Sequence, residues 1–299
     1  MDENVYSTSE LSEAMKNCIY LIFLILFACQ PAKKEDAHWI TVSILPQKYF
    51  VDQISGGLLK VNILVPPGSS PHNYEIMPSQ MKDMAKSKAW LQIGLLTFED
   101  AWREKMAQIN KDLLIVDTSE GIARIAGIDD HHGGHEHEGA FDPHTWLAPA
   151  EVKLMAQNTL KALTKCYPDH AQEFEKNYAV FITKIDTLSA EIDQKLAALK
   201  NRHILIFHPA LAYYARQFKL EQIALEMDGK EPSPKHMKDV VDLAHAQNIH
   251  VIFIQKEFDA AFAKQMAQEI NGEVIVIDPL DYDWEKQMRD ITEKIAGQE

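Results

Sequence analysis

Eight short runs of β-branched and aliphatic residues, four on each side of one long amphipathic stretch, restrict what this chain can fold into. The first set is Trp39–Ile44, Val61–Val65, Ala89–Ile93 and Leu113–Val116; the second is His203–Phe207, Gln222–Leu225, His250–Ile254 and Glu273–Ile277. Segments with helical spacing separate them: Gln47–Ser55, Ser79–Ser87 and Phe98–Ile109 in the first set, Leu211–Phe218, Pro234–Gln247 and Ala260–Ile270 in the second. Apolar strands alternating with amphipathic helices are the pattern of α/β architecture. The alternation therefore predicts two Rossmann-like βα lobes, and 299 residues with 46% hydrophobic side chains suffice for both. Ser233-Pro234 supplies a helix start, an N-cap hydroxyl followed by proline at the first helical position.

Between the two sets Phe174, Tyr178, Phe181, Ile185, Leu188, Ile192, Leu196 and Leu199 recur at intervals of three and four, with charges elsewhere. This predicts one helix over 169–200, roughly 48 Å long at 1.5 Å per residue, which is enough to run the height of a two-lobed molecule. A coiled-coil dimer is the alternative. A single apolar stripe in an α/β chain packs on its own lobes, so a monomer is expected. The expected organisation is an N-terminal lobe over 38–168, the linking helix over 169–200 and a C-terminal lobe over 201–299.

The N-terminus reads as an address. Ile19–Ala28 is an unbroken apolar run, too short to cross a bilayer, which takes about 20 residues. It fits the core of a secretory signal. The run ends in Leu26-Phe27-Ala28-Cys29, similar to the cleavage and lipidation box of bacterial lipoproteins, with Phe27 larger than usual. Residues 1–29 are thus read as signal and lipobox, Cys29 as the lipidated residue and 30–37 as a polar tether. Met15-Lys16-Asn17 suits a signal's basic leader whereas the acidic residues before it do not, so 1–14 are expected to be non-native. With Cys18 removed and Cys29 lipidated, Cys166 alone remains of three cysteines, and no disulfide is expected within the chain.

A net charge of −14 argues against nucleic acid or an anionic membrane surface as the main partner, so contact with the membrane is expected through the lipid anchor only. Thirteen histidines are many, and His131, His132, His135 and His137 crowd into 129–138. That tract has no apolar residue to bury, so it is expected to be a surface loop able to chelate metal weakly. Four other residues share one kind of position. His72 follows the second strand in Pro66-Pro67-Gly68-Ser69-Ser70-Pro71-His72, His144 precedes a helix in Asp142-Pro143-His144-Thr145-Trp146, His208 follows the fifth strand and Asp278 the eighth. Open α/β sheets bind ligands beyond the carboxyl ends of their strands. Three imidazoles and a carboxylate form a nitrogen and oxygen donor set suited to zinc, with manganese or cobalt acceptable. Prolines beside these residues restrict the backbone that would carry the donors. His38, His170, His203, His236, His245 and His250 lie at strand starts or on helices and are read as structural.

At these residues the chain resembles the metal-binding lipoproteins of bacterial ABC importers for zinc and manganese, specifically the zinc type. The matching segments are Pro67–Glu75, Asp142–Leu147, Phe207–Tyr214, Glu231–Pro234 and Ile277–Leu280, in order along nearly everything from Trp39 onward. The resemblance implies two α/β lobes joined by a rigid helix, with the metal held in the cleft between them by His72, His144, His208 and Asp278. It also implies an extracytoplasmic, lipid-anchored carrier, periplasmic or at the cell surface, that delivers zinc to an ABC permease and is not an enzyme. His208 stands where manganese-preferring relatives generally carry glutamate, and the histidine-rich tract is a zinc-type trait; manganese is the alternative cargo. Ile76 and Gln80 depart from the proline and aspartate common in the family, which bears on loop geometry. A zinc-dependent hydrolase is the rival reading, against which stand the absence of an HExxH helix and of an evident general base. Ligand histidines must be neutral, so affinity is expected to fall as pH drops through about 6.5.

Overall fold

The computed structural model describes residues 38–127, 141–226 and 232–298. The signal and lipobox with Cys29, the tether, residue 231 and His131, His132, His135 and His137 lie outside the described residues.

The first four strands are β1 (Trp39–Val42), β2 (Lys60–Ile63), β3 (Ala89–Gln92) and β4 (Leu114–Asp117), in the order β2-β1-β3-β4 and all parallel. Helices α1 (Leu45–Ser55), α2 (Pro78–Met84) and α3 (Thr97–Ile109) make the crossovers. A long connection and a short 3-10 turn, Thr145–Leu147, lead to α4 (Pro149–Cys166) and then α5 (Ala171–Leu196). The second sheet repeats the first order as β6-β5-β7-β8, from β5 (His203–Ile206), β6 (Glu221–Ala224), β7 (Val251–Gln255) and β8 (Glu273–Ile277), again parallel. Its helices are α6 (Ala212–Phe218), α7 (Pro234–Ala246), α8 (Ala261–Glu269) and α9 (Trp284–Ala296). The inner strands β1, β3, β5 and β7 are the mainly apolar, buried ones, as expected of parallel sheets covered on both faces, while the edge strands carry polar residues.

The long helix is shorter than the apolar stripe implies. It spans 26 residues, about 39 Å at 1.5 Å per residue, and the Arg202 guanidinium donates to Leu196 O at 2.8 Å, ending the helix and turning the chain into β5. Leu199 is still buried, beyond the helix end. Phe174, Phe181, Ile185, Leu188, Ile192 and Leu196 form the buried face.

Helix α9 was not among the expected elements, although Trp284, Met288, Ile291 and Ile295 are helically spaced and Asp283 caps Lys286 N. It packs back on α5 and α1, with the Trp284 and Phe50 rings 5.6 Å apart and Tyr49 donating to Glu285 Oε1 at 2.6 Å. Trp284 Nε1 donates to Trp146 O at 2.7 Å, and Trp146 Nε1 to Pro279 O at 2.9 Å, a reciprocal stitch between the halves. One hydrophobic core therefore runs from Ile40 and Trp90 in the first sheet, through Phe181 and Trp284, to Ile204, Ile206 and Phe253 on one face of the second. A smaller core, with Leu205, Ile252, Ile254, Val240 and Met266, covers the other face. The period-2 alternation of β5 and β7 divides their residues between the two cores. A boundary at residue 201 separates the strands but not the packing. Among the described residues, no helix is long and apolar enough to cross a membrane.

Candidate metal centre

The loop after β2 carries His72. It leaves the sheet by extending the ladder, Leu64 N to Val42 O at 3.0 Å and Val65 N to Ser43 O at 2.9 Å, then turns at Pro66, whose carbonyl accepts from Ser69 N. Gln80 fastens the far side: its Oε1 accepts from Tyr74 OH at 2.7 Å and from Met77 N at 2.9 Å, and its Nε2 donates to Leu64 O. Ile76 is buried. The two residues that depart from the family pattern therefore anchor the loop, one by packing and one by hydrogen bonds.

His144 follows Asp142-Pro143. Asp142 Oδ1 accepts from both the backbone N and the ring Nδ1 of His144 at 2.8 Å, and Tyr213 OH donates to Asp142 O at 3.0 Å. His144 is 4% exposed. His208 leaves the end of β5; its Nδ1 meets Glu226 Oε2 at 3.0 Å, its carbonyl accepts from Gln255 Nε2 at 2.6 Å, and its ring stacks on Phe258 at 5.2 Å.

The three Nε2 atoms converge. His72 lies 3.2 Å from His144 and 3.0 Å from His208, and His144 lies 3.4 Å from His208. A carboxylate opposite Nδ1 places the proton of His144 and of His208 there, leaving their Nε2 lone pairs inward. Lone pairs aimed at one point repel unless a cation sits between them. Nitrogens on a tetrahedral zinc, each about 2.0–2.1 Å from the metal, lie about 3.3 Å apart, close to the observed separations. Burial, then the neighbouring His144 and His208, hold the His72 imidazole down at about 2; burial also lowers His144, outweighing the opposing pull of Asp142. Both shifts favour the neutral form of the ring, the form that donates to a metal.

Asp278 is placed differently. Its Oδ2 lies 3.0 Å from Lys256 Nζ and its Oδ1 accepts from Leu280 N at 3.3 Å. It is not part of the group of metal-ligating atoms within 4.8 Å of one another, which comprises His72, His144 and His208. The cause is register: Lys256 follows β7, whose Gln255 pairs with Ile277 of β8, so the ammonium arrives beside the carboxylate. Glu226 was missed at the sequence level, and the reason is again register. β5 and β6 pair Ile206 with Ala224, which sets 208 opposite 226 just past the strand ends. Asp142 was visible in the motif but without a role.

The triad opens onto a cleft of about 750 Å³ lined from both halves, among others by Asn73, Thr97, Phe141, Arg216 and Gln222. Behind it lies a small recess bordered by all three imidazoles, Trp146, Glu257 and Phe258. Burial raises the Glu257 carboxyl, with Asp278 adding to the effect against its own backbone N–H and the Lys256 charge.

The sequence and fold have relatives among known proteins. The family model described as ZnuA, zinc-uptake complex component A, periplasmic, matches residues 40–298. A crystal structure of ZnuA superposes with a TM-score of 0.81 at 36% identity, covering 88% of this chain and 99% of that one. A zinc-bound ZnuA mutant lacking 138–173 of its own numbering gives 0.80 at 35%, covering 88% and 98%. The zinc-binding lipoprotein AdcA of Streptococcus pneumoniae R6 is 28% identical over 278 residues, which are 87% of this chain and 54% of that protein. The chain thus spans about half the length of AdcA, whereas a Chlamydia trachomatis protein provisionally named as metal-binding is matched at 28% over 92% of its length. With the family model matched along 40–298, the chain belongs to the ZnuA family of periplasmic zinc-uptake components.

Proposed function

We propose that His72, His144 and His208 form the high-affinity site at which this chain takes up zinc. As a member of its family the chain captures a divalent metal for ABC import, and zinc is the cargo that the family indicates. The observation that carries the assignment to these three residues is the convergence of their Nε2 atoms at 3.0–3.4 Å, with two of the rings oriented by buried carboxylates. An all-imidazole set favours zinc over manganese, which takes oxygen donors more readily. The family is one of extracytoplasmic transport components, and we read the chain as a non-enzymatic monomer that hands its metal to an ABC permease. Lipidation at Cys29, after the box Leu26-Phe27-Ala28-Cys29, would tether it to the membrane surface.

Native mass spectrometry of the mature protein with zinc and manganese in competition tests the reading, repeated on His208→Ala and on a variant lacking 129–138. One zinc per chain, held against manganese, lost in His208→Ala and retained at the triad when 129–138 are removed, is expected. Preferential manganese loading would overturn the zinc assignment. Metal-dependent ester or peptide hydrolysis abolished by His208→Ala would revive the hydrolase.

A further inference from the structure

We propose that Phe258 is a positioning residue for metal capture, its ring fixing the tilt of the His208 imidazole and walling the point on which the three Nε2 atoms converge; the inference rests on the metal-capture reading of the triad. Of the two imidazoles backed by carboxylates, His208 is the less enclosed, its side chain 13% exposed against 6% for His144. The contact between its Nδ1 and Glu226 fixes one edge of the ring, and a single hydrogen bond leaves the ring free to tilt about that edge. Phe258 removes this freedom. The two rings stack with centroids 5.2 Å apart and planes 27° from parallel, within the range that aromatic pairs favour, and a tilting imidazole would have to give up that contact.

Phe258 is itself held in place by the elements around His208. Its backbone N donates to Gln255 O at 3.1 Å, and Gln255 Nε2 donates to His208 O at 2.6 Å, so the turn that carries the phenyl ring is registered to the backbone of the histidine. Phe207, next to His208 in the chain, meets the Phe258 ring at 5.4 Å and in turn packs on Phe262 of α8 at 6.2 Å. One turn thus grips His208 at its carbonyl and at its ring. Among the described residues, the large cleft and the small recess are bordered in common by the three histidines, Ser70 and Phe258. Phe258 therefore presents apolar surface to both openings beside the triad. The outer partners of a ligand set its orientation, and the apolar shell sets the access of solvent, so this ring serves both to align a donor and to slow the exchange of the ion with water.

The test uses the full chain, with the loss of bound zinc to excess chelator followed by stopped flow, and with cobalt(II) as a spectroscopic stand-in. Phe258→Ala should bind zinc about tenfold more weakly, in the range typical of altered metal-site partners, through faster dissociation, and should shift the cobalt ligand-field bands. Phe258→Tyr, which keeps the flat face, should return both the rate and the bands to those of the wild type. Phe258→Leu, which keeps apolar bulk without that face, should leave the bands shifted. A wild-type rate and wild-type bands in Phe258→Ala would overturn the proposal, and so would a Phe258→Leu protein indistinguishable from Phe258→Tyr, because bulk alone would then suffice. The comparison of the Tyr and Leu variants carries the test should Phe258→Ala fail to fold. Tight zinc binding that survives His208→Ala would instead sink the triad reading itself.

Discussion

Replacing Glu226 tests how much the carboxylate behind His208 contributes to metal binding at the proposed site. The residue is 6% exposed and accepts the Nδ1 proton of His208 at 3.0 Å. In Glu226→Ala the ring keeps its stack on Phe258 and its carbonyl bond from Gln255, so it stays in place, but neither its tautomer nor its tilt is fixed any longer. Loss of such a partner weakens metal affinity by about 10–100-fold, or about 1.4–2.8 kcal/mol. Glu226→Gln retains an oxygen that accepts from Nδ1 and should fall between wild type and Glu226→Ala. His208→Ala removes a donor outright and should cost the most. Zinc competition against a chromogenic chelator at neutral pH gives all four affinities on one scale. Affinity in Glu226→Ala indistinguishable from wild type would refute the claim that this contact orients His208. A loss equal to that of His208→Ala would refute it too, because it would mean that the strand end collapses without the carboxylate.

Three further outcomes are expected. His72 and His144 are held neutral in the fold, so below about 6.5 the unfolded chain binds protons that the folded chain does not, and metal-free stability falls as pH falls, by up to about 1.4 kcal/mol per pH unit for each ring. Glu99 acts in the opposite sense, since burial lifts it to about 7 and its contribution weakens as pH rises from 4.5 to 7; the His72 effect is therefore read as the difference in urea midpoint between wild type and His72→Gln, which should shift in favour of the variant as pH falls, and a constant difference would contradict it. Glu99→Ala leaves Ser43 Oγ, Ile93 N and Gly94 N without their buried acceptor and should cost about 3–5 kcal/mol in chemical denaturation; a cost below about 1 kcal/mol would show that water replaces the carboxylate. Phe181→Ala, which empties a fully buried site between Tyr49 and Phe50, should cost about 3–5 kcal/mol, and a mild loss would mean that the helical layer collapses into the space.

Strands and crossover helices were legible from sequence because apolar runs alternate with amphipathic segments, and their ends fall within two residues of the expected ones except for α2, which stops at Met84, three residues before the expected Ser87. His72, His144 and His208 were legible as strand-end residues beside prolines, and the structure brings these three together. What escaped depends on registration between strands. The 208 and 226 pair and the 256 and 278 pair are each made by neighbouring strands, and no local pattern announces them. Asp278 stands at a strand end as expected, and its contact with a lysine from the adjacent strand end is what the sequence did not announce. Helix α9 had a readable apolar face, yet its destination, the far half of the molecule, is a property of tertiary packing. Gly94 is similar: its φ of +85° and the lack of room for a Cβ beside Asp117 Oδ1, 2.1 Å away, follow from where β4 ends rather than from anything around residue 94.

The unbroken core from Ile40 to Phe253, sewn by Trp146 and Trp284, changes how a metal ion gets in and out. A clamshell motion would have to wet Phe50, Phe181 and Trp284 together, a rare event on the scale of near-global unfolding. Loading and unloading then depend on side-chain rotation and loop fluctuations around the three imidazoles, movements of nanoseconds to microseconds. At the proposed site, release is then expected to require the displacement of only a few rim residues.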